Sequence, residues 1–297
     1  MGNTLNEILT ELMAGYEVSL ETFSHLPDLV LICVILGLLW VSKKIYDFFT
    51  PYELEYQLVK ADNKAVTISF VGYLAGVVVI LEGVLHGDSI SLINDIISVL
   101  VWGVIGILLL NLAGIINDKL ILHRFNNKLE LVENHNVAVA TVIAGTYFGS
   151  GIIIRSIIIG DSTGWVLDIG LTVLYFLLAQ LTFYLYSLLY QIITKYNFHH
   201  EIQENNVAAG IALGSNLVAV GILLSIPLQM SYSLIFYFTW FIIGSSLLAF
   251  FRFIMDHTII PMEKLDEEIH KDQNWGIAIL EGCFSIAAIF IMQALFT

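Results

Sequence analysis

The sequence predicts an all-α polytopic membrane protein: eight transmembrane helices, arranged as four parallel helical-hairpin repeats, plus an N-terminal amphipathic helix. Three observations carry that prediction. Of 297 residues, 58% are hydrophobic and only 13% are charged, whereas soluble domains carry about 25% charged residues. The apolar residues fall in blocks of about 20, the length an α-helix needs to cross about 30 Å of hydrocarbon. Strand-like alternation is absent, so the spans are helices. Lastly, one phrase is written four times: DNKAVTISFVGYLAGV, ENHNVAVATVIAGTYFGSG, ENNVAAGIALGSNLVAVG and DQNWGIAILEGCFSIAAI.

The first element is the amphipathic segment, residues 1–25. Thr4 and Glu7 form a capping box, and Leu5, Ile8, Leu9, Leu12 and Leu20 draw an apolar stripe at helical spacing. Glu7, Glu11, Glu17 and Glu21 make it acidic, which disfavours anionic lipid and predicts a helix lying across the outer face. It lacks the basic start of a cleavable signal. The spans follow at about 28–46, 64–85, 92–116, 137–158, 165–193, 207–228, 232–254 and 275–296. They divide into two four-helix membrane domains, 26–160 and 161–297.

Eleven of the twelve basic residues fall on one side of these spans, and only Arg155 lies near the other. The positive-inside rule then puts the four longer loops in the cytosol and both termini outside. The net charge of −14 does not oppose this, because acidic residues contribute little to the rule. Cys33 and Cys283 lie within spans and read as small core residues rather than a disulfide.

The repeat is measured from Asn63, Asn136, Asn206 and Asn274, which step by 73, 70 and 68 residues. The outer turn repeats as well: GDS at 87–89 returns at 160–162, and Asp95 and Asp168 each follow seven residues after Asp88 and Asp161. Units of one orientation need a symmetry axis along the membrane normal, and each buries its faces against its neighbours. The four asparagines read as helix N-caps, accepting from free N–H groups. Convergence of four helix N-termini on an anion is the alternative, which nearby Asp62, Glu133, Glu204 and Asp272 oppose. Nine and thirteen residues after each asparagine stand small residues: Gly72 and Gly76, Gly145 and Gly149, Ser215 and Ala219, Cys283 and Ala287. That spacing shares one helix face and suits close packing, or a pore lined by the same residues.

The stretches YDFFTPYELEYQLVKADNKAV, NDKLILHRFNNKLELVENHNVAVA and MDHTIIPMEKLDEEIHKDQNWGIA resemble the YjfL-like family of bacterial inner-membrane proteins, whose domain has no known function. The likeness covers nearly the whole chain after residue 25, as two domains in tandem. It departs at Gln191, where the other units carry Asp47, Asp118 and Asp256. The resemblance implies an inner-membrane location and an envelope-stress context, with no catalytic residues to carry over.

Polar residues within spans are functional candidates. Glu281 lies seven residues after Asn274, with Ser285 on its face. Gln180 and Asn216 lie near mid-span as hydrogen-bonding or substrate-contacting groups. Nineteen residues after each asparagine come Glu82, Arg155, Ser225 and Gln293, an outer polar ring in which Glu82 and Arg155 could pair. Lys43 and Arg252 stand four residues before Asp47 and Asp256 as ion-pair partners. His200 and Glu204 share one turn, but no paired Cys or HExxH supports a metal. No cofactor is expected. Basic residues are too few for nucleic acid.

Three functions remain in play: passage of a small ion or solute by way of Glu281, a non-transporting scaffold in envelope stress, and a membrane-embedded enzyme, which the missing catalytic constellation disfavours. Membrane lipids are the expected surroundings. A homodimer and a cytosolic or membrane protein partner are both open.

Overall fold

A computed structural model describes residues 12–13, 29–86, 91–159 and 164–296. The amphipathic segment, apart from Leu12 and Met13, and the outer turns with Asp88 and Asp161 lie outside the described residues. Eight helices are long and apolar enough to cross a membrane: α1 (Leu29–Phe49), α3 (Lys64–Leu85), α4 (Leu92–Leu120), α6 (Val137–Ile158), α7 (Trp165–Ile193), α9 (Val207–Met230), α10 (Leu234–Ile254) and α12 (Trp275–Phe296). A π-helical turn, Met255–Ile259, extends α10. With α4 running to Leu120, the third span outlasts its expected end at 116.

The four longer loops are not irregular. Each holds a six-residue helix: α2 (Leu54–Val59), α5 (Asn127–Val132), α8 (Phe198–Gln203) and α11 (Leu265–His270). Their starts explain three of the four polar residues at the ends of the odd-numbered spans, Asp47, Gln191 and Asp256. Asp47 Oδ1 accepts from Leu54 N (3.0 Å), Gln191 Oε1 from Phe198 N (3.2 Å) and Asp256 Oδ1 from Leu265 N (2.7 Å). An anionic or amide oxygen at the N-terminus of the short helix satisfies one of its unpaired donors. Gln191 departs in charge but not in role. The expected pairing of these acids with Lys43 and Arg252 does not occur: Lys43 Nζ lies 3.5 Å from Glu55, and Arg252 turns to Asp266 and Glu281.

The short helices end alike. Asp62, His135, Asn205 and Gln273 adopt φ of 47°, 50°, 60° and 51°, a left-handed conformation uncommon outside glycine. Each directly precedes the repeated asparagine. The chain thereby reverses, and the asparagine backbone N–H reaches back to the short helix, as Asn136 N does to Glu130 O at 2.8 Å. Its side chain then works in both directions. Oδ1 caps the next helix, accepting from Val66 N (3.2 Å), Val139 N (2.9 Å), Ala209 N (3.2 Å) and Ile277 N (3.3 Å). Nδ2 of the first three donates to a carbonyl of the following unit's short helix: Leu131 O (2.8 Å), Ile202 O (2.9 Å) and Ile269 O (2.8 Å). Asn274 is instead exposed and donates to Glu268 Oε2 at 2.8 Å.

These asparagine-started helices, α3, α6, α9 and α12, pack side by side in one row, with α4 against α3 and α6. A methyl group placed on Gly72 would overlap Ala144; on Gly145, Gly214; on Gly282, Ser215. Built on Gly151 it would lie 2.6 Å from Gly76 Cα, and on Gly221, 2.7 Å from Gly149 Cα. Contacting residues advance together along each pair, so neighbours run parallel. Close backbone approach closes the space between them, and the small residues line contacts rather than a channel.

The fourth unit breaks the pattern. Ser215 is half-buried and Ala219 buried, but Cys283 and Ala287 are exposed. They occupy the face that in earlier units meets the next helix, and α12 is the last helix among the described residues. Cys33 is exposed too, on α1 at the periphery. Neither cysteine is a core residue.

Asn136→Ala should destabilise the protein by about 2–4 kcal/mol, losing a cap and stranding the buried carbonyl of Ile202. Asn274→Ala should cost about 1 kcal/mol or less, since the cap and its bond to Glu268 are both exposed. Denaturant titration of both variants in detergent micelles checks the contrast.

Candidate functional site

An apolar chain can hold polar side chains inside only where they satisfy one another, and here they gather at the joints between units. The most charged cluster joins the third and fourth. Arg252, one turn before the end of α10, donates from Nη2 to Asp266 Oδ1 of α11 (2.7 Å) and from Nη1 to Glu281 Oε1 of α12. Its guanidinium carbon lies 5.5 Å from the centre of the Tyr190 ring, within cation–π range. Asn216 of α9 donates to Glu281 Oε1 (3.3 Å) and accepts from Tyr186 and Ser285, each at 3.0 Å. Glu281 is 2% exposed, and among the described residues its Oε2 has no hydrogen-bond partner. Two carboxylates therefore face one guanidinium, and one buried acceptor is left over.

The first joint is built of tyrosines. Tyr46 and Tyr52 share a hydrogen bond at 3.0 Å, as Tyr190 and Tyr196 do at 3.2 Å in the second half. Tyr73 donates to Ser42 O (3.0 Å) and accepts from Asn111 (2.9 Å). The Tyr46 and Tyr73 rings lie 4.6 Å apart, and those of Tyr73 and Tyr147 5.4 Å. Beside them is a cavity of about 90 Å³ whose walls include Tyr46, Tyr52, Asn111, Asp118, Asn127 and Tyr147. Among the described residues Asn127 Oδ1 is buried there without a hydrogen-bond partner. At the middle joint Asn117 donates to Gln180 Oε1 at 2.9 Å, and Gln180 reaches Ser150 at 3.5 Å.

The structure thus brings Glu281, Ser285 and Asn216 together and gives Gln180 a separate partner. Of the outer polar ring it joins Glu82 and Arg155, with Arg155 Nη2 donating to Glu82 Oε1 at 3.2 Å and Nε nearer Oε2. Ser225 instead is buried and donates to Ile222 O in its own helix (2.7 Å); Gln293 sits half-buried on α12. Sequence reasoning missed Arg252 and Asp266 as Glu281's neighbours. The available signal was Arg252 itself, a cation inside a span.

Near the loops, His200 and Glu204 are exposed. The neighbouring Glu201 accepts from Asn206 (2.8 Å) and faces His270 Nδ1 (2.8 Å). Buried His199 places Nε2 3.0 Å from Ile121 O, so the neutral ring donates there. Burial, aided by the Arg124 charge, lowers its pKa to about 4.

A family model described as Domain of Unknown Function (DUF350) matches residues 21–158 and again 164–296. The chain belongs to this family. Its relatives include a UPF0719 transmembrane protein of Aquifex aeolicus (strain VF5), 26% identical over 270 residues that cover 88% of this chain and 97% of the relative. The UPF0719 transmembrane protein YshE of Bacillus subtilis (strain 168) is 25% identical over 120 residues, 40% of this chain and 88% of its own length. No solved structure matches the chain. Family membership and eight apolar helices make this a multipass membrane protein of an uncharacterised family.

Arg252→Met should destabilise by about 3–5 kcal/mol, because it leaves buried Glu281 unpaired; Arg252→Met with Glu281→Met should recover most of that loss. Thermal unfolding of the single and double variants reads this. For His199, the folded pKa lies below the 6.5 of the free side chain. On acidification through that window the unfolded chain takes up a proton that the folded one refuses, so stability falls from pH 6.5 towards 4. Wild type should show more of this loss than His199→Gln.

Proposed function

We infer that this protein handles a small cation or a proton within the membrane, in the manner of a channel or transporter. The observation that carries the reading is Glu281 Oε2, a buried carboxylate oxygen without a hydrogen-bond partner among the described residues, in a cluster with one more acid than base. A carboxylate held this way attracts whatever positive charge can reach it. Asp266 stands at the loop side of Arg252, and Asn216, Tyr186 and Ser285 continue the polar run inward. Arg252 acts as the resident counter-charge: a cation entering from the loop side competes with it for Glu281.

In this reading the short-helix side faces the cytosol, as the lysines and arginines assign it, and the protein sits in the bacterial inner membrane, as its likeness to YjfL-like proteins implies. No chemical step on a substrate is assigned. Glu281→Gln, which keeps the shape but removes the charge, should abolish cation- or proton-dependent flux into proteoliposomes while leaving the protein folded. Flux equal to that of wild type sinks the proposal.

A further inference from the structure

Laying the second half over the first, on Asn206 with Asn63 and Asn274 with Asn136, exposes a substitution that no single unit reveals. The interval from Asp118 to Asn136 equals that from Asp256 to Asn274, 18 residues in each case. Arg252 therefore corresponds to Gly114, Glu281 to Ile143 and Ser285 to Tyr147. The paired tyrosines persist, Tyr190 and Tyr196 matching Tyr46 and Tyr52. In the second half the chain supplies its own guanidinium, stacked towards the Tyr190 ring. In the first half, Gly114 withdraws that side chain and the Tyr147 ring closes over the place it would take; both residues line the cavity of about 90 Å³.

We propose that this tyrosine-walled cavity of the first half binds a small delocalised organic cation of the guanidinium class, received beside Tyr147 near the level at which the second half sets Arg252. The reading deepens the function inferred above by naming a ligand class, and rests on it only in treating the joints as places where positive charge is handled. Size fits: the cavity holds about three times a water's share of about 30 Å³. So does chemistry. Rings of Tyr46, Tyr52 and Tyr147 lie in its wall, and aromatic faces favour cations of low charge density. Among the described residues Asn127 Oδ1 is a buried acceptor without a partner, on a residue 8% exposed. Asp118, exposed at the mouth, adds a carboxylate. Lys128 lines the rim and is exposed; its charge opposes the ligand. Ile143 in place of Glu281 removes the fixed counter-acid, leaving Asp118 as the carboxylate in the lining.

Calorimetric titration of the full-length chain in detergent with guanidinium chloride at low millimolar concentration tests this, with sodium chloride as the matched control. Wild type should show saturable guanidinium binding absent with sodium. Asp118→Asn should weaken it at least about tenfold, the equivalent of about 1.4 kcal/mol, and Lys128→Ala should strengthen it. Gly114→Arg combined with Tyr147→Ser supplies the cation from the chain and should abolish binding. If that double variant fails to fold, Asp118→Asn and Lys128→Ala decide alone. Absence of saturation in wild type, or equal affinity in Asp118→Asn, overturns the proposal. Binding without flux in proteoliposomes upholds this site and removes the transport reading; Glu281-dependent flux without guanidinium binding does the reverse.

Discussion

Every helix that enters a bilayer begins with backbone N–H groups that have no partner in their own coil, and every preceding turn ends with carbonyls in the same position. The chain meets both demands at one residue per unit. An amide side chain is suited to this because its oxygen accepts while its nitrogen donates. Asn63, Asn136 and Asn206 use the oxygen on their own helix and the nitrogen on the carbonyl of the next unit's short helix. An Asp at the same place would cap as well, yet could not donate across the joint. The left-handed residue before each asparagine aims the side chain. From this small junction follow the register between units and the parallel course of α3, α6, α9 and α12.

Once the register is fixed, packing follows from residue size. In lipid there is no gain from hiding one apolar helix behind another, so contact must come from close fit. Gly76 and Gly151, and Gly149 and Gly221, provide that fit at successive joints. Polar clusters sit beside these contacts, where α1, α4, α7 and α10 complete the joints. Their content differs: tyrosines at the first joint, amides at the second, and ions beside tyrosines at the third. Duplication kept the frame and released the contents.

Much of the frame is legible in the sequence because it depends on residue type at fixed intervals. Span length follows from hydropathy, the caps from asparagine, and the tight row from glycine spacing. The short helices are not legible. Six residues such as LEYQLV or FHHEIQ carry too few turns for a periodic signal, and their first N–H is satisfied by a residue seven or nine positions earlier. Arg252 illustrates a second limit. Nearness in sequence suggests Asp256, but that acid is already engaged by Leu265 N, and the guanidinium takes the two carboxylates left available in space. Cys283 and Ala287 show a third. They obey the repeat's rule of small residues, yet the rule needs a following unit to act on, and the sequence pattern does not mark where the row stops.

The outer faces of the described row set it apart from repeat arrays in water. Soluble solenoids must finish with specialised terminal repeats whose outer faces tolerate water. Here Val71 on α3 and Cys283 on α12 lie exposed on the outermost helices, and acyl chains accept such faces as readily as another helix would. The bilayer itself serves as the end-piece. Acyl chains can therefore take over the task that a capping repeat performs in water, and no specialised outer face is required of α3 or α12.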